Sequence, residues 1–461
     1  MKKRGIGSLK SAAKDQLLAA ARASRQAGLE RKLERLVPDN SDGRSVGKSF
    51  DFSTLETARQ LKIQRAAAEM LNIDVPFFRP HDVQAAAHTR IGNREYINFS
   101  SYDYCGLNGD PRVTAAAREA MERFGTSVSA SRVVSGERPF HRELEKNIAR
   151  FLGVEDAVAM VSGHATNVTT IGHLLGPNDL VLADAFIHNS IVEGVRLAGA
   201  TRLTFRHNDM DHLAELLSAK RHQFNRVLIA VEGLYSMDGD TPPLDRLIRL
   251  KTRHDAWLLV DEAHALGVVG QTGRGLAERE GIDPNAVEIW MGTLSKTLSS
   301  CGGFIAGSTA LVEYLKATAP GFVFSVGLAP SVAASANAAL LALEAEPERV
   351  ARLVHNGQHF LKAAKAAGLD TGTAEGLAVL PVIIGDSIVS ALVAHRLAEA
   401  GVNVQPIIFP AVPEQAARLR FFVNATHTED DIDTAVRLTA ECLERTRKDG
   451  AGLTQLAASL R

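Results

Sequence analysis

Short apolar runs alternate with stretches of helical periodicity from about residue 110 onwards. The runs comprise residues 157–161, 180–183, 227–231, 257–260 and 302–306. Apolar runs of this length are typical of strands buried on both faces, and strands separated by helical stretches indicate βαβ units. The pattern therefore predicts an α/β fold in which helices cover both sides of a large, mostly parallel sheet.

The pattern changes after about residue 340. Long helical stretches rich in Ala and Leu flank two further apolar runs, residues 379–384 and 419–423, and predict a smaller α/β domain. We divide the chain into four segments on this basis. They are 1–50, a basic helical N-terminal extension and linker; 51–108, an N-terminal segment that packs with the small domain; 109–335, the large domain; and 336–461, the C-terminal small domain.

Charge is distributed unevenly along the chain. The 461 residues carry 52 Lys and Arg against 53 Asp and Glu, and this balance gives no support for nucleic-acid binding. Residues 1–36, the basic arm, nevertheless contain ten basic and three acidic side chains. Within the arm Ile6, Leu9, Ala13 and Leu17 recur at the spacing of an amphipathic helix. Such a helix could pack on the body or on a partner subunit, dock an acidic carrier protein, or serve as a presequence or membrane contact.

Cysteine content and hydropathy narrow the class of protein further. Cys105, Cys301 and Cys442 are too few and too scattered for a disulfide framework or a structural zinc site. No apolar stretch approaches the roughly 20 residues that a membrane-spanning helix needs. We therefore expect a cytoplasmic protein without a bound metal.

Polar side chains follow the strand predicted over residues 257–260. Asp261 comes directly after it, and His264 three residues later. Open α/β sheets bind ligands at the carboxyl edge of their strands, where both side chains would lie. Asp261 is well placed there to hold a cation. The alternative is a carboxylate that only caps the following helix, together with a solvated histidine.

A second constellation lies about 35 residues further along the chain. Lys296 stands between Ser295 and Thr297 after an apolar run, and two glycines follow shortly after. A lysine in this setting is suited to form a Schiff base near a phosphate, although a surface lysine in a loop would have similar neighbours. Asp261 and Lys296 together favour the Schiff base. A carboxylate for the pyridine nitrogen and a Schiff-base lysine are the two groups that pyridoxal phosphate requires.

Five further motifs share the order and spacing of one enzyme family. They are residues 99–107 (Phe-Ser-Ser-Tyr-Asp-Tyr-Cys-Gly-Leu), 162–167 (Ser-Gly-His-Ala-Thr-Asn), 184–190 (Asp-Ala-Phe-Ile-His-Asn-Ser), 232–240 (Glu-Gly-Leu-Tyr-Ser-Met-Asp-Gly-Asp) and 418–421 (Arg-Leu-Arg-Phe). From about Tyr96 to about Asp433 the chain resembles the α-oxoamine synthase family of fold-type I pyridoxal phosphate enzymes. That family includes 8-amino-7-oxononanoate synthase and serine palmitoyltransferase. The resemblance implies that residues 109–335 bind the cofactor.

The resemblance also implies a role for each matching residue. Lys296 would hold pyridoxal phosphate, Asp261 would bind the pyridine nitrogen, and His264 would contact the phenolic oxygen. His188 would stack on the pyridine ring. The other expected cofactor ligands are Ser162, Gly163, His164, Ser236, Thr293 and Ser295, together with Ser325, which would reach the cofactor bound in the partner subunit.

The reaction implied is the decarboxylative condensation of a small amino acid (Ala, Ser or Gly) with an acyl thioester of CoA or of an acyl carrier protein. It yields an α-amino ketone, carbon dioxide and a free thiol. Arg420 and Asp103 are expected to bind the substrate, Arg420 through the amino-acid carboxylate. A homodimer with shared active sites is also implied.

Two alternative functions remain open. One is a pyridoxal phosphate-dependent aminotransferase or aldolase of the same fold, which would share Asp261 and Lys296. The other is a non-catalytic subunit of a heteromeric acyltransferase, although relatives of that kind lack the lysine.

Overall fold

The computed structural model describes residues 51–70 and 76–450, and the helix predicted within residues 1–50 lies outside this part of the chain. The strands are β1 (His88–Ile91), β2 (Arg94–Asn98), β3 (Asp156–Met160), β4 (Leu180–Asp184), β5 (Thr201–Phe205), β6 (Val227–Glu232), β7 (Trp257–Asp261), β8 (Ile289–Thr293), β9 (Gly303–Gly307), β10 (Val379–Ile383), β11 (Val402–Asn403), β12 (Gln405–Ile407) and β13 (Arg418–Phe422). The α-helices are α1 (Glu56–Met70), α2 (Pro111–Phe124), α3 (Pro139–Leu152), α4 (Gly163–Leu174), α5 (Asn189–Ala198), α6 (Met210–Lys220), α7 (Leu244–Arg253), α8 (Leu276–Glu280), α9 (Thr309–Thr318), α10 (Pro320–Val323), α11 (Pro330–Ala345), α12 (Glu348–Ala366), α13 (Ser387–Glu399) and α14 (Glu429–Lys448).

Seven strands form one large sheet in the order β3-β9-β8-β7-β6-β4-β5. The strands are parallel except β9, which runs antiparallel to both of its neighbours. Every residue of β3, β4, β6 and β8 is buried, which explains their continuous apolar sequences. The predicted α/β fold is confirmed. The strand β5 was not predicted, because it lies at the sheet edge and most of its residues are at least partly exposed.

Apolar side chains pack against both faces of this sheet. Along β6, Val227, Ile229 and Val231 belong to one buried apolar cluster, whereas Leu228 and Ala230 belong to another. Successive side chains of a strand point to opposite faces, so the two clusters are the cores on the two sides of the sheet. The large sheet is therefore the central layer between two apolar cores.

The N-terminal strands join the C-terminal part of the chain. β2 pairs in parallel with β11, with Ile97 opposite Val402, and antiparallel with β1. The backbone of Phe99 continues this connection: its N–H donates to the carbonyl of Asn403 at 2.8 Å, and its carbonyl accepts from the N–H of Phe422 at 2.9 Å. The domain boundaries after residues 108 and 335 stay predictions; α11 runs across the second of them.

A second three-stranded sheet, β10-β13-β12, is antiparallel and carries Arg418 and Arg420 on its central strand. Arg418 donates to Asp238 at 2.8 Å and to the carbonyl of Met237 at 2.9 Å. This buried ion pair joins the small sheet to the loop that follows β6. The two sheets therefore meet beside the carboxyl ends of the large sheet's strands.

Within the described residues, no helix is both long enough and apolar enough to cross a bilayer.

Candidate active site

A cavity of about 220 Å³ lies at the carboxyl edge of the large sheet. Its walls come from the segments that follow β3, β4, β6, β7 and β8, because parallel strands bring their carboxyl ends to one edge. The lining residues are Ser162, Gly163, His164, Asn167, His188, Ser190, Glu232, Asp261, Ala263, His264, Met291, Thr293, Ser295 and Lys296. The fold thus brings together nine of the residues proposed from the sequence.

Lys296 supplies a primary amine to this cavity. Its Nζ lies 5.6 Å from the ring centre of Tyr102, and it has no hydrogen-bond or ion-pair partner among residues 51–70 and 76–450. Burial lowers the pKa of Lys296 to about 8, although the charges of Asp261 and Glu232 oppose the shift. A larger fraction of this amine is therefore uncharged near neutral pH than of an ordinary lysine, and only the uncharged form is nucleophilic.

Asp261 ends β7 and presents a carboxylate whose orientation is fixed on both sides. Its Oδ2 accepts a hydrogen bond of 2.8 Å from Asn167 Nδ2, and its Oδ1 accepts one of 3.0 Å from the N–H of Ala263. Asn167 lies in the second turn of α4 and also donates to Ser190 Oγ at 2.9 Å. A buried anion held in this way is suited to bind a protonated ring nitrogen.

His188 precedes α5 and forms another part of the cavity wall. Its Nδ1 lies 2.7 Å from Ser190 Oγ, which fixes the orientation of the imidazole. Burial lowers the pKa of His188, so the ring is neutral at neutral pH. His164 faces it edge to face, with 6.3 Å between the ring centres. A neutral, oriented imidazole at this place can stack on a planar ligand.

His264 is held by a residue from the N-terminal segment. Its Nδ1 forms a hydrogen bond of 2.7 Å with the hydroxyl of Tyr104, which is fully buried. Burial, together with the nearby cations Lys296 and Arg420, holds the pKa of His264 well below its ordinary value. His264 is therefore neutral, and its other ring nitrogen can bond to a ligand oxygen.

The amino end of α4 forms the anion-binding end of the cavity. Ser162 caps the helix, since its Oγ accepts from the N–H of Ala165 at 3.3 Å. A Cβ atom on Gly163 would lie 2.9 Å from Thr293 Oγ1, closer than a methyl group can approach. Ser295 donates from its N–H to the same hydroxyl at 3.2 Å. Free N–H groups at a helix start, beside small hydroxyl residues, are a phosphate-binding arrangement.

Ser236 and Arg420 lie beside the cavity rather than in its lining. Arg420 Nη1 donates to the carbonyl of Ser236 at 3.1 Å, and its guanidinium lies 4.7 Å from the ring centre of Phe422. Its Nε is buried and has no hydrogen-bond partner within the described part of the chain. Arg420 therefore keeps a donor for a further acceptor.

Two residues proposed from the sequence lie away from this cavity. The carboxylate of Asp103 accepts from the N–H groups of Leu107 and Asn108, at 2.8 and 3.1 Å, and so holds the turn that follows Tyr104. Ser325 lines a separate small pocket beside Phe322. Neither residue contacts the amine of Lys296 within one chain. Their roles in binding stay predictions.

Three further side chains lie in or beside the cavity but were not predicted from the sequence to belong to the site. Asn167 contacts Asp261, Tyr104 contacts His264, and Glu232 lines the cavity at the end of β6. Asn167 follows Ser162 by five residues, and one turn and a half of helix brings it back to the strand ends. In the described ranges, no group of three or more His, Cys, Asp or Glu side chains is arranged to hold a metal ion.

The side chains around the cavity fit pyridoxal phosphate. The unpaired amine matches its aldehyde, the buried carboxylate its ring nitrogen and the neutral imidazole its ring face. The helix start, where glycine leaves room beside Thr293, matches its phosphate. Together with the seven-stranded sheet, they define the class: a fold-type I pyridoxal phosphate-dependent enzyme.

Comparisons with known proteins define the family within this class. The family "Aminotransferase class I and II" matches residues 94–438. An 8-amino-7-oxononanoate synthase of Symbiobacterium thermophilum is 40% identical over 351 residues, which are 76% of this chain and 89% of that protein. A serine palmitoyltransferase of Sphingobacterium spiritivorum is 36% identical over 360 residues, 78% of this chain and 90% of that protein.

A solved structure extends this similarity to three dimensions. Serine palmitoyltransferase from S. paucimobilis with bound PLP–myriocin superposes with a TM-score of 0.80 at 30% identity, covering 85% of this chain and 98% of that one. The chain belongs to the α-oxoamine synthase family. It is a pyridoxal phosphate-dependent acyltransferase.

Proposed function

We propose that the enzyme condenses a small amino acid with an acyl thioester, releasing carbon dioxide and a free thiol and forming an α-amino ketone. The observation that carries the proposal is the cavity in which the unpaired amine of Lys296 and the oriented carboxylate of Asp261 meet at one edge of the sheet. Two kinds of relative, an 8-amino-7-oxononanoate synthase and a serine palmitoyltransferase, resemble the chain to a similar degree.

Each residue of the cavity has a separate task in this reaction. Bound pyridoxal phosphate supplies an electron sink for the bond that breaks at the amino-acid Cα. Asp261 keeps the ring nitrogen protonated, and the amine of Lys296 takes the Cα proton. The imidazole of His188 would pack against the ring of the cofactor. Ser162, Gly163 and Thr293 hold the phosphate.

Arg420 is proposed to bind the carboxylate of the amino acid. Its buried Nε has no partner within the described residues, and a guanidinium is suited to bidentate binding of a carboxylate. The contacts to Ser236 and Phe422 fix its position. The amino acid is Ala, Ser or Gly, and the acyl donor is a thioester of CoA or of an acyl carrier protein.

The experiment that tests the proposal follows the visible absorbance of the purified holoenzyme while Gly, Ala, Ser and Thr are added in turn. The amino acid that is the substrate is expected to change the spectrum. Free thiol should then be released when a thioester is added. K296A should lose both the spectrum of lysine-bound cofactor and thiol release, whereas K362A, which changes an exposed lysine on α12, should keep them. Amino transfer without thiol release would instead indicate an aminotransferase.

A homodimer with shared active sites is proposed as well. Ser131 and Val326 form an antiparallel bridge, and it is flanked by the exposed apolar side chains of Val133, Val134 and Phe324. Such a patch is typical of a subunit interface. Ser325, beside it, would reach the cofactor of the other subunit. Sedimentation should give a dimer, and S325A should weaken cofactor binding; a monomer that retains full activity would contradict this.

The basic arm is proposed to dock an acyl carrier protein, since acidic carriers complement its charge. Deletion of residues 1–50 should raise the KM for a carrier-protein thioester and leave the KM for the matching CoA thioester unchanged. If the deletion leaves the KM for both donors unchanged, the docking proposal is wrong. That result would not affect the reaction assigned to the cavity.

A cytoplasmic location is proposed because Cys105, Cys301 and Cys442 are all free thiols, as expected in a reducing compartment. Fractionation of cells that express the chain would test this: recovery in a secreted or membrane fraction would contradict it.

A further inference from the structure

Glu232 ends β6 and lines the cavity, yet none of the tasks above uses it. Its side chain is almost completely buried, since the residue is 3% exposed. Oε2 accepts a hydrogen bond of 3.0 Å from the N–H of Ser236, but Oε1 is buried and has no partner within the described part of the chain. An ionised carboxylate with one unpaired oxygen is costly in such a place.

A second carboxylate lies directly beside Glu232. Glu232 and Asp261 are register partners in the neighbouring strands β6 and β7, and both line the cavity. Among the described residues, Asp261 accepts hydrogen bonds from two residues, Asn167 and Ala263, whereas Glu232 accepts only from Ser236. Two adjacent buried carboxylates do not both ionise readily. Asp261 is the better-stabilised anion of the two.

The electrostatic environment of Glu232 also favours its protonated form. Burial, together with the charge of Asp261, raises the pKa of Glu232 to about 8, although the cation of Lys296 and the N–H of Ser236 oppose the shift. Tyr235, on the same loop, is buried and uncharged. The other titratable or charged groups that line the cavity or lie beside it are His164, His188, His264 and Arg420.

We propose that Glu232 is a neutral carboxylic acid in the holoenzyme and that its Oε1 hydroxyl donates a hydrogen bond to an oxygen of bound pyridoxal phosphate. The inference rests on the assignment of this cavity to that cofactor. Asp261 then carries the negative charge that the ring nitrogen needs, and Glu232 adds a hydrogen bond without adding a second negative charge near a cofactor that itself carries a phosphate. The two neighbouring carboxyl groups thus have different protonation states and different tasks.

Cofactor affinity as a function of pH tests this inference. The dissociation constant of pyridoxal phosphate is measured for the wild type and for E232Q, which keeps a hydrogen-bond donor but cannot ionise. Above the pKa, the wild type must recover a proton to bind. The ratio of the wild-type to the E232Q dissociation constant should therefore rise about tenfold between about pH 7 and about pH 9. The charge of Glu232 also acts on the pKa of Lys296, so the titration of Lys296 is followed separately in both proteins through the visible absorbance of the lysine-bound cofactor.

Glu262 offers a matched control. It is also fully buried with one unpaired oxygen, and burial raises its pKa to about 8 as well, but it does not line the cavity. The ratio for E262Q should stay constant with pH. A constant ratio for E232Q, or an equal rise for both variants, would overturn the proposal.

Infrared difference spectroscopy gives a second readout that does not depend on turnover. The wild-type holoenzyme should show the band of a protonated carboxyl group that shifts when the cofactor is removed and is lost in E232Q. If that band is absent from the wild type, or persists in E232Q, Glu232 is not the neutral acid. This measurement tests the proposal even if the Glu262 variant does not fold. Failure of the wild type to bind pyridoxal phosphate at all would instead contradict the assignment of the cavity.

Discussion

His207 is predicted to stabilise the fold as a cation between two aspartates. Its Nδ1 lies 2.8 Å from Asp184 Oδ1 and its Nε2 lies 3.0 Å from Asp240 Oδ2. These hydrogen bonds and charges raise the pKa of His207 to about 10, although burial acts in the opposite direction. The imidazolium joins the segments that follow β4, β5 and β6, two of which carry His188 and Ser236.

The perturbation is H207Q, which keeps one hydrogen-bond donor and removes the charge. Removing one member of a buried ion pair costs about 3–5 kcal/mol. The side chain of His207 is 16% exposed, while those of Asp184 and Asp240 are 0% and 9% exposed. Partial access of water to the histidine places the expected loss at the lower end, about 3 kcal/mol near pH 6.

The pH dependence separates a charge effect from a loss of packing. The pKa of His207 is raised by folding, so its contribution is complete below its unfolded pKa near 6.5 and is lost as the pH rises through about 10. The difference in unfolding free energy between wild type and H207Q should therefore be largest near pH 6, smaller near pH 8 and small above pH 10. Urea unfolding of the holoenzyme at these three pH values, at one protein concentration, measures it.

A surface pair supplies the control for this measurement. His355 lies 2.8 Å from Glu429, but the two side chains are 63% and 58% exposed. H355Q should change the unfolding free energy by less than about 1 kcal/mol at any pH. A loss in H207Q that is the same at all three pH values, or no larger than that in H355Q, would refute the electrostatic argument.

Two further predictions concern the cavity. Y104F leaves the buried Nδ1 of His264 without its partner and should destabilise the protein by about 1–3 kcal/mol, measured by thermal unfolding. An unchanged unfolding midpoint would mean that this hydrogen bond contributes nothing to stability. G163A places a methyl group against Thr293 Oγ1 and should weaken pyridoxal phosphate binding by about 1–3 kcal/mol, measured by equilibrium dialysis. Because Thr293 is itself proposed to hold the phosphate, the control is the same change in a T293A background, which lacks that hydroxyl. The loss caused by G163A should be smaller there, and an equal loss in both backgrounds would exclude the contact as the cause.

The large sheet could be predicted because its central strands are buried on both faces. Continuous apolar runs at residues 180–183 and 227–231 correspond to β4 and β6. Strand order could not be read in the same way, since it depends on which elements pack together. The run at residues 302–306 predicted β9, but not its antiparallel direction or its place between β3 and β8, and the exposed edge strand β5 was not predicted at all.

Site residues next to a strand end were predictable, and those that reach the site through the tertiary fold were not. Asp261 and Lys296 each follow an apolar strand, so their position at the sheet edge follows from local sequence. Tyr104 meets His264 across 160 residues of chain, and this contact depends on the packing of the N-terminal segment. The neutral state of Glu232 depends on Asp261 in the neighbouring strand, which sequence spacing does not reveal.

The pairing of β2 with β11 has a consequence for the order in which the enzyme is assembled during synthesis. Residues 88–104 leave the ribosome before the whole large domain, yet their partners Asn403, Phe422 and Ala425, whose N–H donates to the carbonyl of Tyr104 at 2.8 Å, are made some 300 residues later. Contacts of such long sequence separation form late in folding. The large sheet with Lys296 can therefore be complete before Tyr104 is in place to hold His264. That hydrogen bond is fixed only once nearly the whole described chain has been made.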